Sequence, residues 1–505
     1  MKRDGQNKSL WQNVEMPLPK ENSGNKIDVI IAGAGITGLT AAYLLQKAGK
    51  NCLVIEAENI GFGTTGGTTA HINTFYDAQY DLVMDNFGEE KAHLLAQTGP
   101  EVISKIKSII AEHQIDCGFE ERDSYVFSVD KEQTKQLDKM YEATKKVGIP
   151  TQKVESNPFP IPFDSIIKIE GQAQFHPTKY IKALSEEFLK MGGTILQGEK
   201  VTDIAEKGAS VSVTTDRSTY EASDFIWATH VVPNMNRMNF LAAPYRSYVL
   251  AFTLLSGEYP QAQAEDMSEP YHYYRTQEID GKQYVIAGGE DHKTGHQDDP
   301  ESCFAALEEY VRQFFDVEEI THRWSSQFYT PTDLLPFIGK SPGDQHIYWA
   351  TGFDGNGMTF GTLSAMMISD LILAGKNKYE KLFDPSRLNV TAGITDVLKE
   401  NADAVFHLIT DKFTAQKIKN LAEIENGTGK TVSLDGKTMS VYRDDEGQLF
   451  AVKSACTHMG GNVDWNDTEK SWDCPCHGAR FDIHGNVLNG PATKPLEKIT
   501  ITDTL

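Results

Sequence analysis

At 505 residues the chain is too long for one ordinary hydrophobic core, which excludes a single small module and asks for two or three domains. Hydrophobic, aromatic and charged fractions of 40%, 10% and 24% sit near globular averages and exclude a disordered, collagen-like or coiled-coil chain. A net charge of −23 repels phosphate backbones and anionic membrane surfaces, so no nucleic-acid partner is expected.

Residues 1–25 start with MKRDGQNKSLWQN, which has no apolar h-region and reads as a solvated N-terminal arm, not a secretory signal. Lys26 to Ala32 (KIDVIIA) is an apolar run fit for a strand buried on both faces. A Gly-rich turn follows, then Leu39, Ala42, Leu44 and Leu45 at helical spacing, and NCLVIE (residues 51–56) repeats the strand pattern. This is a βαβ unit with a parallel sheet. Amphipathic helices are predicted over Glu101 to Ile110 and Leu137 to Val147, and again at Tyr180 to Met191. VTDIAEKGASVSVTT then alternates like a hairpin, and DFIWATH returns to the buried sheet. A second excursion, roughly Val249 to Phe315, precedes HIYWATG and a long helix at Met358 to Leu373. Residues 26–386 thus read as two interleaved subdomains. Residues 387–420 read as a helical connector, and 421–505 as a small all-β domain of short alternating strands with Gly turns. The longest apolar stretches are too short or too interrupted for a bilayer span, so no integral membrane segment is expected.

Gly33, Gly35 and Gly38 form G-x-G-x-x-G between a predicted strand and helix, answered by Glu56 at the end of the next strand. In that context the glycines let backbone N–H groups approach a pyrophosphate at a helix N-terminus, and the acid accepts ribose hydroxyl hydrogens. FAD and NAD share this fingerprint. The chain has only one complete copy, whereas a pyridine-nucleotide flavoprotein of the double-dinucleotide type would usually need two.

On IAGAGITGLTAAYLL with Glu56, GFGTTGGTTAH, GQAQFHPTKYIKAL, TPTDLLPFIG and HIYWATGFDGNGMTFG, the chain resembles the D-amino-acid oxidase and glycine oxidase superfamily of FAD-dependent oxidoreductases. The resemblance implies an α/β FAD-binding domain, Rossmann-like and of the glutathione-reductase type, with an interleaved α+β substrate subdomain. It also implies that Gly63 to His71, including Gly66, Thr69 and His71, runs beside the pyrophosphate and flavin. Val201 would contact the adenine, and Gly355, Gly357, Met358 and Thr359 would lie near the flavin pyrimidine, where a helix N-terminus stabilises negative charge. Some relatives tether FAD through a histidine in the region of His71, but a neutral, hydrogen-bonding imidazole is the reading expected here.

Near the C-terminus Cys456-Thr457-His458 and Cys474-Pro475-Cys476-His477 give C-x-H and C-x-x-H separated by fifteen residues. Two thiolates and two imidazoles suit tetrahedral zinc, but this order and spacing fit a Rieske [2Fe–2S] centre better, with two Cys on one iron and two His on the other. Three cysteines crowded here, of six in all, point to a metal site in a reducing, cytoplasmic compartment rather than a disulfide framework. The surrounding CTHMGGNVDWN, WDCPCHGARFD and NGPA resemble the Rieske domains fused to bacterial FAD-dependent oxidoreductases. This implies that Cys456, His458, Cys474 and His477 are the ligands and that the Gly490-Pro491 loop shields the cluster. Gly461 stands where many Rieske domains have a second cysteine, the partner of the one matching Cys476, and Ala479 and Phe481 replace a Ser and a Tyr of high-potential relatives. Lost hydroxyl hydrogen bonds lower the potential, so a value near the lower end of the Rieske range, about −150 mV, is expected.

Substrate contacts are sought in the second subdomain, at Tyr271 to Arg275 and Gly288 to His292. Tyr273, Arg275 and His292 are the candidates: Arg275 to clamp a carboxylate, Tyr273 to orient an amine. A half-exposed strand with snorkelling side chains is the other reading of the same run. Together these features predict a dehydrogenase that oxidises an amine or amino-acid-like small molecule through FAD and passes electrons singly to the cluster and on to an external acceptor. The alternatives are an NAD(P)H-driven reductase feeding a partner oxygenase, and a non-enzymatic redox sensor.

Overall fold

The computed structural model describes residues 1–18, 26–234, 236–387, 416–418, 420–434 and 436–501. Its first layer is a six-stranded sheet in the order Phe337–Lys340, Ile347–Thr351, Asp224–Trp227, Val29–Ala32, Cys52–Glu56, Thr194–Gln197. All neighbours are parallel except the first pair. Val29 to Ala32 is central and fully buried, which is why its sequence is a continuous apolar run without alternation. The helices Ile36–Lys47 and Gly357–Ala374 pack against each other beside this sheet. Gly357–Ala374 is the one helix among the described residues long and apolar enough to cross a membrane, and 67% of it is buried inside the molecule. A three-stranded antiparallel sheet, Val201–Lys207, Ser210–Thr215 and Thr219–Ala222, is the hairpin foreseen in the sequence with one strand added.

The chain leaves this layer to build a nine-stranded, mostly antiparallel sheet that includes Glu120–Ser128, Ser165–Gln174, Ala242–Leu254, Gln263–Asp266, Tyr273–Ile279, Lys282–Lys293 and Val317–Pro331. The C-terminal unit is all-β, with one five-stranded and one four-stranded sheet. Its five-stranded sheet takes in Gln416–Lys417, so the predicted connector gives way to strand before residue 421; most of that connector, 388–415, lies outside the described residues.

The predicted solvated arm is overturned. Arg3, Asp4, Ser9, Leu10, Trp11 and Gln12 are buried. Leu10 and Trp11 join Val249, Ala251, Ile286 and Trp324 in one apolar cluster. The polar composition around them conceals this, because Arg3 and Asp4 find their partners in distant segments. The Arg480 guanidinium donates to Asp4 O (2.8 Å) and to Asp473 Oδ1 (3.1 Å), and Asn489 donates to Asp4 Oδ2 (2.9 Å). Residues 3–6 are therefore mortar between the two larger units.

Candidate functional site

A cavity of about 710 Å³ runs from the end of the central strand to the nine-stranded sheet. One end is the fingerprint. Helix Ile36–Lys47 has Gly35 at its N-cap, with no side chain of its own to cap it; Thr65 Oγ1 accepts from Ile36 N (3.1 Å), and the next N–H groups of the first turn are left for an anion. A Cβ on Gly38 would stand 1.9 Å from Gly33 O, so the helix packs on the turn only with glycine there. Glu56 accepts from Ala34 N (2.8 Å) and Glu58 N (2.9 Å), which fixes its carboxylate at the strand end.

Of the residues expected at the cofactor, Gly33, Gly35, Glu56, Thr69, His71, Val201, Gly355, Gly357 and Met358 line this one cavity. Gly38, Gly66 and Thr359 do not. Gly38 supports the turn, Gly66 O accepts from Ser9 Oγ (2.6 Å), and Thr359 Oγ1 donates to Asn73 O (3.2 Å), so each shapes the wall from behind. His71 Nε2 donates to Tyr274 O (3.4 Å), which leaves Nδ1 to accept from Thr69 Oγ1 (3.2 Å). Burial, with help from Arg275, pulls its pKa down to about 3, so this imidazole is neutral.

Among the substrate candidates only Tyr273 lines the cavity, its hydroxyl 2.8 Å from Ser247 Oγ. Arg275 is turned away. It is fully buried, donates to Thr69 O (2.7 Å) and Ala70 O (2.8 Å) and lies over the Trp11 ring at 5.6 Å. It therefore holds the Thr69–Ala70 backbone and clamps no substrate carboxylate. His292 is also outside the cavity, bonded to the Tyr248 hydroxyl (2.9 Å) and Lys293 O (2.9 Å). What the sequence concealed is the set that does line this end: Asn73, Asp77, Glu265, Tyr271, Asp291 and Asp354. Asp291 and Tyr271 fall in the two runs singled out and Asp354 inside HIYWATGFDGNGMTFG, where no role was expected of it, but Asp77 and Glu265 come from a loop and a strand with no motif of their own.

In the C-terminal unit Cys456 and Cys474 are buried with their thiols in hydrogen-bond contact, and the rings of His458 and His477 are 5.0 Å apart and nearly perpendicular. His458 Nε2 and both ring nitrogens of His477 are buried without partners. Paired sulfurs beside paired, unsatisfied imidazoles fit a [2Fe–2S] cluster. A Cβ on Gly461 would stand 2.6 Å from Cys476 Sγ, so Cys476 points at the place of the missing second cysteine. Cys52, Cys117 and Cys303 are buried thiols, and burial pushes the first two up to about 12.

The ligand loops face the first unit. Gln327 Nε2 donates to Gly478 O (2.9 Å), His296 Nε2 to Pro475 O (3.2 Å) and Tyr329 Oη to Gly490 O (3.2 Å). The Phe240 ring meets His477 edge-on at 5.4 Å. Asn486 to Gly490 and Ala492 to Pro495 line the same cavity as the fingerprint, opposite Thr64, His230 and Val231.

Fold and site define a flavoprotein oxidoreductase with an iron–sulfur domain closed over its cofactor cleft. The chain belongs to the FAD dependent oxidoreductase family, whose model matches residues 28–371, and a Rieske [2Fe-2S] domain matches residues 414–500. It binds FAD and a [2Fe–2S] cluster. A Bacillus subtilis protein named as a Rieske 2Fe-2S iron-sulfur protein, YhfW, is 34% identical over 98% of this chain and 97% of its own length. A gamma-glutamylputrescine oxidoreductase of Escherichia coli is 22% identical, over 72% of this chain and 88% of its own. Glycine oxidase from Geobacillus kaustophilus shares the fold with a TM-score of 0.60 at 15% identity, covering 72% of this chain and 99% of that one.

Proposed function

We propose that this oxidoreductase is an amine dehydrogenase whose two electrons leave one at a time through its Rieske domain to an external one-electron carrier. The observation that carries the reading is the shared wall: residues of the loop that flanks the cluster line the same cavity as the dinucleotide fingerprint. Bound FAD supplies a two-electron acceptor for a C–H bond beside nitrogen, and the cluster holds one extra electron. In balance, an amine R₂CH–NH₂ gives R₂C=NH with two electrons and two protons, and water then releases the carbonyl compound and ammonia. Two turnovers of the external carrier complete each cycle.

The chain's own part is to bind and deprotonate. An ammonium has no lone pair to release toward the breaking C–H bond, so the amine must become neutral at the site. Asp291, which burial and the neighbouring Asp77 push up to about 7, is matched to taking that proton at neutral pH. Tyr273 is positioned to orient the nitrogen. The relative named for gamma-glutamylputrescine supports an amine as substrate.

The test is low-temperature EPR of protein purified without air and mixed anaerobically with amines, beside a sample given NADPH. A reduced Rieske signal raised by amine alone is the expected result. A signal from NADPH alone reverses the flow and makes the chain a reductase; a signal with dithionite only refutes the amine as donor.

A further inference from the structure

The substrate end of the cavity carries an unusual imbalance. Asp77, Glu265, Asp291 and Asp354 all line it, and Asp77 acts electrostatically on each of the other three. The carboxylates come from different directions. Glu265 and Asp291 stand on strands of the nine-stranded sheet, whereas Asp77 and Asp354 stand on loops, with Asp77 Oδ2 accepting from Gly355 N (2.7 Å) and Asp354 Oδ1 from Thr330 Oγ1 (2.7 Å). None forms a salt bridge with a lysine or arginine among the described residues, although the His272 imidazolium acts on Asp291 from a distance. Among the described residues no arginine lines the cavity, and its lysines are elsewhere: Lys200 beside Glu58 and Asp216, and Lys494 in the Rieske loop. His71 and His230 are held neutral by burial.

An observation independent of the acids turns this cluster into a site. Asn73 lines the same end, is only 9% exposed, and its Oδ1 meets no donor; Asp291 Oδ1 is likewise buried without a partner. Buried acceptors without donors are costly, and a ligand rich in N–H groups is what satisfies them. Nor do the acids converge: among the described residues no three His, Cys, Asp or Glu side chains surround a common point as a single metal ion requires. Dispersed negative charge calls for dispersed positive charge.

We infer that the substrate is a diamine or oligoamine, an extended cation with at least two amino groups and no carboxylate beside the reacting nitrogen, seated with its far ammonium groups among Asp77, Glu265 and Asp354 while Asp291 serves the reacting nitrogen. This deepens the amine reading and rests on it. One amine is presented for oxidation while the remote charge fixes register, so chain length between nitrogens sets specificity. An α-amino acid is rejected, because its carboxylate would enter a cavity of like charge with Arg275 facing the other way.

The test is equilibrium titration of the anaerobic holoenzyme, read by flavin absorbance and calorimetry, with 1,4-diaminobutane, spermidine, butylamine, sarcosine, glycine and MgCl₂. Expected is binding of the two polyamines about tenfold or more tighter than butylamine, and no saturable binding of the amino acids, because a desolvated charge pair is gained or a repulsion incurred. Glu265→Gln should lower diaminobutane affinity about tenfold while shifting butylamine less than threefold; Asp354→Asn serves the same comparison if that variant does not fold. Equal affinity for butylamine and diaminobutane, tighter binding of glycine or sarcosine, or competition by Mg²⁺ at the same site would overturn the inference. The two readings fail separately. Selective polyamine binding without a Rieske signal leaves the cage standing and refutes the electron path; a Rieske signal from all amines alike does the reverse.

Discussion

Two groups of acids, one buried in a joint and one lining the open cavity, both anchored on the nine-stranded sheet or packed against it, are solved in opposite ways. At the junction of residues 3–6, the sheet and the Rieske domain, Asp4, Glu469 and Asp473 meet Arg3, Arg246 and Arg480, and all six are nearly inaccessible. Burial pushes the Asp4 and Asp473 carboxyls up, but the adjacent guanidiniums outweigh it and hold both below the usual range. In the cavity no guanidinium opposes the push: burial, with Asp77 adding to it, raises Glu265 to about 8, and Asp291 rises to about 7 although its Ser247 hydrogen bond and the nearby His272 pull the other way. A balanced network is a structural joint. An unbalanced one relieves itself by holding protons, and a cation that binds there draws those carboxyls back to the ionised form.

The sharpest way to break this comparison is to unbalance the joint. Arg480→Ala leaves Asp4 and Asp473 buried without their guanidinium, and we expect a loss of about 3–5 kcal/mol, the usual cost of orphaning a buried charge. Thermal melting and limited proteolysis between residues 387 and 420 would report it as undocking of the Rieske domain; an unchanged melt would mean the network is incidental.

The second effect is on pH. Unfolded carboxylates titrate near 4, whereas Glu265 and Asp291 titrate at about 8 and about 7 when folded. Between those values the folded state holds more protons than the unfolded one, so stability falls as pH rises from about 4 toward 8. For the amine-free holoenzyme the fall should be on the order of 1–2 kcal/mol, reduced from the full linkage value because the cavity admits water. Denaturant melts at pH 5 and pH 8 measure it, and diaminobutane should flatten the slope. Smaller again, Glu265→Gln is expected to stabilise the amine-free protein at pH 8 by about 1 kcal/mol, where Arg480→Ala destabilises at every pH. A destabilised Glu265→Gln would mean the acid has a partner in the folded protein.

The smallest effect lies at the cluster between the two regions. Ala479 and Phe481 are buried beside the ligand loop and offer no hydroxyl. Ala479→Ser should raise the midpoint potential by roughly a few tens of millivolts, since about 1 kcal/mol of added hydrogen bonding converts to that scale for one electron. Protein-film voltammetry decides; a starting value well above zero would contradict the low potential expected from these residues.

What was legible in the sequence is what is contiguous along it. The fingerprint, the strand ending at Glu56 and the two ligand pairs are set by local spacing, and the structure brings their neighbours into one cavity. Arg275 was misread because its neighbours in sequence say nothing of Trp11, 264 residues earlier, on whose ring it lies. The acidic cage was illegible for the same reason: Asp77, Glu265, Asp291 and Asp354 meet only because the chain crosses twice between its two large sheets. The arm looked solvated because Arg3 and Asp4 are indistinguishable from surface charges until Glu469 and Arg480 are in view.

That last contact has a consequence for biogenesis. Asp4 leaves the ribosome 476 residues ahead of the guanidinium that completes its site. At elongation rates of about 5–20 residues per second the segment waits roughly 20–100 s with the Asp4 carboxylate short of its Arg480 partner. The catalytic half can form in that interval, but its seam closes only when the C-terminal half arrives. The opening residues thus act as a late fastener, a check that both halves of the redox machine have been made.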